Sequence, residues 1–153
     1  MSNAVLSSSF DALREDARFD AGCRTVGEVD VDAFALLTGD RHPQHTDSEW
    51  AAGSLFGERV AHGLLVLSCA AGLIPFDPER VVALRSVRDA VFKRPVRLGE
   101  SVSVEGRVRS KVDIDDDVGL VGVELRVNGE DDRLALRAVL EVIWRRDGAE
   151  HGG

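Results

Sequence analysis

Cysteine is scarce in this sequence, with two in 153 residues. Cys23 and Cys69 lie far apart and fall in no C-x-x-C or zinc-like spacing, which excludes a disulfide framework and a cysteine-built metal site. Long hydrophobic runs are missing too. The longest apolar stretch, residues 63–75, is broken by Ser68 and falls well short of the roughly 20 residues that span a bilayer. Positive charge is in deficit: 19 basic residues against 27 acidic ones leave a net charge of -8, which repels nucleic acid unless the cations gather on one face. No N-terminal segment joins a basic start to an apolar stretch and a small-residue cleavage site, so the expectation is a cytoplasmic protein in a reducing compartment, binding neither membrane nor nucleic acid. With four prolines, no Gly/Ser-rich linker and no internal period, nothing divides the chain.

What is present suits one globular domain: 44% hydrophobic and 30% charged residues, with 5% aromatics. A chain of this length buries on the order of 70% of its unfolded surface and holds a core without staples. The small, polar or Gly-rich ends predict a flexible tail over residues 1–9, a domain over 10–146 and a second flexible tail over 147–153. Asp30 is an acceptable N-cap for a short helix over 32–37 that ends near Gly39. Residues 63–74 are apolar on every side, which predicts a helix buried all round and stopped by Pro75. Beyond it the period changes to two, in Val102, Val104, Val108 and Val112 and again in Val121, Val123, Leu125 and Val127. Further strands are expected over 81–92 and 134–144, with a shorter one over 24–29. The acidic run 113–117 and Asn128-Gly129 read as connections. One curved antiparallel sheet wrapped around one long central helix is the simplest way to bury that helix, an α+β fold.

The chemistry concentrates in two stretches, Gly39-Asp40-Arg41-His42-Pro43-Gln44-His45-Thr46-Asp47 and Ala61-His62-Gly63. Gly39 and Pro43 break regular structure and put Asp40 and His45 on one displayed turn. A carboxylate and an imidazole that converge there can hold a water between them, one accepting a proton while the other donates. Gly63 opens the apolar helix, where the first backbone N–H groups have no internal partner and can polarise a carbonyl oxygen. These are parts for adding water to an activated double bond or removing it.

Both stretches resemble the MaoC-like dehydratases, which include the (R)-specific enoyl-CoA hydratases, whose signature is G-D-x-N-P-x-H-x-D followed by A-H-G or V-H-G. A third stretch, Phe92-Lys93-Arg94-Pro95-Val96-Arg97-Leu98-Gly99-Glu100, is similar to the family's F-x-x-P-V-x-x-G-D segment. The resemblance runs from about Phe19 to Trp144. It implies a hot dog fold, a homodimer with active sites near the subunit interface, and reversible hydration of a trans-2-enoyl thioester to an (R)-3-hydroxyacyl thioester. It implies Asp40 and His45 as the catalytic pair, Gly63 as the carbonyl-polarising amide, and no cofactor beyond the coenzyme A or acyl carrier protein that bears the thioester. One residue departs from the signature: His42 stands where the family has the Asn that supports the loop, with Pro43 retained.

Other readings of the same residues stand beside these. Asp40 alone also suits a turn cap, and His45 alone a hydrogen-bonded core histidine. His42, His45, Asp40 and Asp47 suggest a metal, but the turn at Pro43 lacks helical ligand spacing, so no metal is expected. His42, Pro43 and His62 read as loop supports, Asp47 as the cap of a short helix through Ala52, and Cys69 as inert packing. Arg85, Arg88, Lys93, Arg94 and Arg97 form either a solvated sheet edge or a site for coenzyme A phosphates or an acidic carrier protein. The competing functions are a hot dog thioesterase and a non-catalytic partner subunit of a heteromeric dehydratase.

Overall fold

Valine at alternate positions builds the sheet. In the computed structural model, which describes residues 3–148, Val102, Val104 and Val108 on one strand and Val121, Val123, Leu125 and Val127 on the next are all buried, while their intervening neighbours carry the charge. In chain order the elements are β1 (Arg18–Val26), α1 (Glu28–Thr38), α2 (Pro43–Thr46), α3 (Ser48–Ala52), α4 (Gly63–Leu73), β2 (Val81–Phe92), β3 (Glu100–Asp113), β4 (Val118–Asn128) and β5 (Leu134–Arg145). The five strands form one antiparallel sheet in the order β1-β3-β4-β5-β2. Leu65, Val66, Leu67 and Ala70 of α4 join the buried valines of β3 and β4 and Leu136, Leu140 and Val142 of β5 in one core, the expected α+β arrangement.

Several expected boundaries move, each for a local reason. Helix α1 starts at Glu28, capped by Gly27, and Asp30 lies inside it: its Oδ2 accepts from Gly27 N–H at 2.9 Å, so the carboxylate satisfies the end from the third helical position. Strand β1 runs over 18–26 and not 24–29, because a register shift between Asp20 and Gly22 breaks the alternation that reveals a strand. Helix α4 is not buried all round, since the sheet covers one side of it and Leu64 is 62% exposed. The flexible tail expected over 1–9 is packed from residue 3 onward. Leu6 is fully buried, Trp144 Nε1–H donates to the Ser8 carbonyl at 2.8 Å, and Ser9 Oγ–H donates to Asp147 at 2.8 Å. That last bond also ties down the start of the expected C-terminal tail; Met1, Ser2 and residues 149–153 lie outside the described residues.

Candidate active site

The active loop is held by backbone geometry first. Gly39 ends α1 with φ 82°, and its N–H donates to Ala35 O. The chain then turns: Asp40 N–H donates to Thr38 Oγ1 at 3.2 Å, and His42 N–H donates to Asp40 Oδ1 at 3.3 Å. His42 caps α2, its Nδ1 accepting from Gln44 N–H at 3.1 Å. An imidazole Nδ1 stands as many bonds from the backbone as an Asn Oδ1, so the departure at His42 keeps an acceptor at the cap. The ring also packs edge-on against Trp50, 5.4 Å between centroids. Asp47 caps α3 by accepting from Trp50 N–H at 2.9 Å.

The two catalytic candidates and His62 come together. Side-chain ligand atoms of Asp40, His45 and His62 all lie within 4.8 Å of one another. His45 Nδ1 sits 2.7 Å from the Val60 carbonyl; since a carbonyl only accepts, Nδ1 carries the proton and Nε2 keeps its lone pair. His62 is buried, and its Nε2–H donates to the Asp40 carbonyl at 2.9 Å, which joins the residue before α4 to the loop before α2. Its Nδ1 has no partner. The rings of His45 and His62 stack, 3.9 Å apart and tilted by 27°. Near-parallel stacked rings run their in-plane lone pairs side by side, so the trio does not aim both imidazoles at one ion in the way a metal centre requires. Burial pushes the His45 imidazole below its ordinary value; the Val60 bond and the Asp40 charge oppose this, and the neighbouring His62 and His42 reinforce it.

Gly63 is the first residue of α4, behind the cap His62. The ring of Phe92 lies against it so closely that a Cβ at Gly63 would stand 2.6 Å from Phe92 Cδ1. A cavity of about 240 Å³ opens here, lined by Phe56, Val60, Gly63, Val66, Phe92 and Leu136 among others. Asp40 and His45 do not line it; it meets their site through Gly63 and through Val60, whose carbonyl holds His45.

The five cations grouped by the sequence are separated by the fold. Lys93 and Arg94 line the cavity. Arg97, paired with Glu58 at 2.8 Å, lines a neighbouring cleft with Arg94. Arg85 and Arg88 lie on β2 and line neither, and Arg88 pairs with Glu141. Arg133, absent from the sequence-based set, completes the cleft of Arg94 and Arg97. A second missed residue is Arg59. Its side chain is 9% exposed and its Nε–H donates to the His45 carbonyl at 2.6 Å, while its two terminal nitrogens bind Glu28 at 2.8 Å and Asp32 at 2.6 Å. The i,i+4 spacing of Glu28 and Asp32 on α1 was the available signal.

An antiparallel sheet on a central helix, with an Asp-His pair on the loop facing the helix start, defines a class of fold and site. Structural comparison gives that fold its name. A Mycobacterium tuberculosis protein described as having a double hotdog fold superposes with a TM-score of 0.80 over 97% of this chain and 47% of that one, at 24% identity. A crystal structure from Archaeoglobus fulgidus described as a monoamine oxidase regulatory protein gives a TM-score of 0.86 at 33% identity, over 91% of this chain and 95% of that one. The family model described as MaoC like domain matches residues 13–129, and the chain belongs to the MaoC-like dehydratase family. The 3-hydroxyacyl-thioester dehydratase Z of Mycobacterium tuberculosis is 34% identical over 107 residues, 69% of this chain and 64% of that protein. The chain spans less than two thirds of the length of the curated relatives it matches.

Proposed function

We propose that the chain catalyses reversible hydration of trans-2-enoyl thioesters, or dehydration of (R)-3-hydroxyacyl thioesters. The observation that carries this reading is the meeting of the Asp40 carboxylate and the unprotonated His45 Nε2 within 4.8 Å, beside the first amide of α4. The thioester carbonyl accepts from Gly63 N–H, which stabilises the enolate that develops on addition. A water held between Asp40 and His45 loses a proton to the pair as its oxygen bonds to C3, and the pair returns a proton to C2. The proton count closes, so the pair ends as it began and no cofactor enters. Lys93 and Arg94, which line the cavity at Gly63, face the carrier end of the thioester, coenzyme A or an acyl carrier protein.

A homodimer belongs to the same reading. Strand β2 is an open sheet edge carrying exposed Val82, Leu84, Val87 and Phe92, and a second copy would cover them. Among the described residues no helix is long and apolar enough to cross a membrane.

The test is purified protein against a panel of trans-2-enoyl-CoA thioesters, following the conjugated enoyl absorbance and free thiol together. Loss of absorbance without thiol is the expected result. Thiol release would replace this reading by a thioesterase, and silence that a homologous subunit relieves would replace it by a partner subunit.

A further inference from the structure

His42 does more than fill the place of an asparagine. Its Nδ1 accepts from Gln44 N–H, and Gln44, 9% exposed, clamps the strand leading to α4 twice: its carbonyl accepts from Val60 N–H at 3.3 Å, and its Nε2–H donates to the Glu58 carbonyl at 3.0 Å. The Val60 carbonyl in turn accepts from His45 Nδ1–H, and His45 N–H donates to the His42 carbonyl at 2.9 Å. The cap, the clamp and the catalytic imidazole therefore form one closed circuit of hydrogen bonds. An asparagine oxygen in that circuit accepts at every pH. An imidazole nitrogen accepts only while it is unprotonated, because the imidazolium carries N–H on both nitrogens.

We propose that His42 is a positioning residue that makes the catalytic loop pH-sensitive: a proton on its Nδ1 opposes the Gln44 N–H, opens the circuit and releases the Val60 carbonyl from its place behind His45. Its ring is exposed, so solvent protons reach it, and imidazole is the side chain whose charge changes between about pH 5 and 8. The ionisable groups around it are Asp40 and Arg41 on its own loop, His45 on α2 with His62 stacked behind, and Asp47 and Glu49 at the start of α3. Trp50 closes the other side of the ring with its edge. Activity is therefore lost as pH falls, and an acid limb belongs to His42 in addition to the one that protonation of His45 itself produces.

The activity arm of this inference rests on the hydratase reading; a second arm does not. In His42→Asn the amide oxygen keeps the cap and does not titrate. That variant retains turnover at pH 8 and loses about fivefold less than the parent protein between pH 8 and pH 5.5, the scale of one helix cap. His42→Ala, with no acceptor, is slow across the whole range. By NMR, the Gln44 amide signal follows the titration of the His42 ring in the parent protein and is flat over that range in His42→Asn. An unchanged acid limb in His42→Asn, or a Gln44 amide that ignores the His42 titration, overturns the proposal. A protein that hydrates no thioester yet shows the amide response refutes the reaction and leaves the switch standing.

Discussion

Replacing Arg59 with methionine tests how the loop is held. Methionine fills much of the same volume but removes three bonds at once, to the His45 carbonyl, Glu28 and Asp32. The carboxylates of Glu28 and Asp32 are 69% and 57% exposed, so water recovers most of what those pairs lose, about 0.5 kcal/mol each. The bond to the His45 carbonyl is charge-assisted and made by a guanidinium that is 9% exposed; such a bond contributes about 2 kcal/mol. The sum is roughly 3 kcal/mol, which for a domain of this size lowers Tm by about 6–12 °C. Urea and thermal unfolding at one fixed protein concentration measure it, because association would make Tm concentration-dependent. A loss below about 1 kcal/mol would show that the Arg59 fork is a solvated surface contact and refute the reasoning. Arg59→Lys keeps the charge without the planar fork, and recovers only part of the loss.

Four further outcomes follow from the site. Asp40→Asn and His45→Gln each lower turnover by roughly 100-fold or more with the fold intact by circular dichroism, since each removes a positioned acid or base; near-normal turnover in either variant removes that residue from the reaction. In Gly63→Ala the new Cβ meets the Phe92 ring at 2.6 Å. That ring is 48% exposed and can swing aside, so stability changes little, while kcat/KM falls by roughly tenfold as the carbonyl site shifts. The depressed His45 imidazole sets a sign for stability: below about pH 6.5 the unfolded chain takes up this proton before the folded one does. Stability from this group is therefore complete at neutral pH and is lost as pH falls toward the folded value; a His45 NMR titration at or above the ordinary imidazole value would contradict it. Reversing charge with Lys93→Glu and Arg94→Glu raises KM for a coenzyme A thioester and leaves an N-acetylcysteamine thioester, which lacks the phosphates, unaffected.

Much of the molecule is written in local pattern. Alternating valines placed β3 and β4, and strand β2 falls on residues 81–92 as the sequence implies, because a strand with one buried face leaves a period of two in the chain. The turn at Gly39 and Pro43, the cap at Asp47 and the helix opening at Gly63 follow from backbone chemistry that acts over a few residues. The pairing of Asp40 with His45 was legible for the same reason, since one turn carries both. What the sequence leaves open depends on distant residues meeting. The N-terminal residues look like a tail by composition, and only the tertiary packing of Leu6, Ser8 and Ser9 against β5 and the residues after it makes them part of the core. Five cations grouped along the chain are divided among the cavity, a cleft and a sheet edge, and Arg133 joins them from another loop. Arg59 reaches α1 and the His45 carbonyl together, and His62 spans from the start of α4 to Asp40. The tautomer of His45 is likewise a tertiary fact, fixed by a carbonyl fifteen residues away. Hydrophobic periodicity and turn chemistry are short-range forces and leave short-range marks; which buried donors find which acceptors is decided only once the chain has closed on itself.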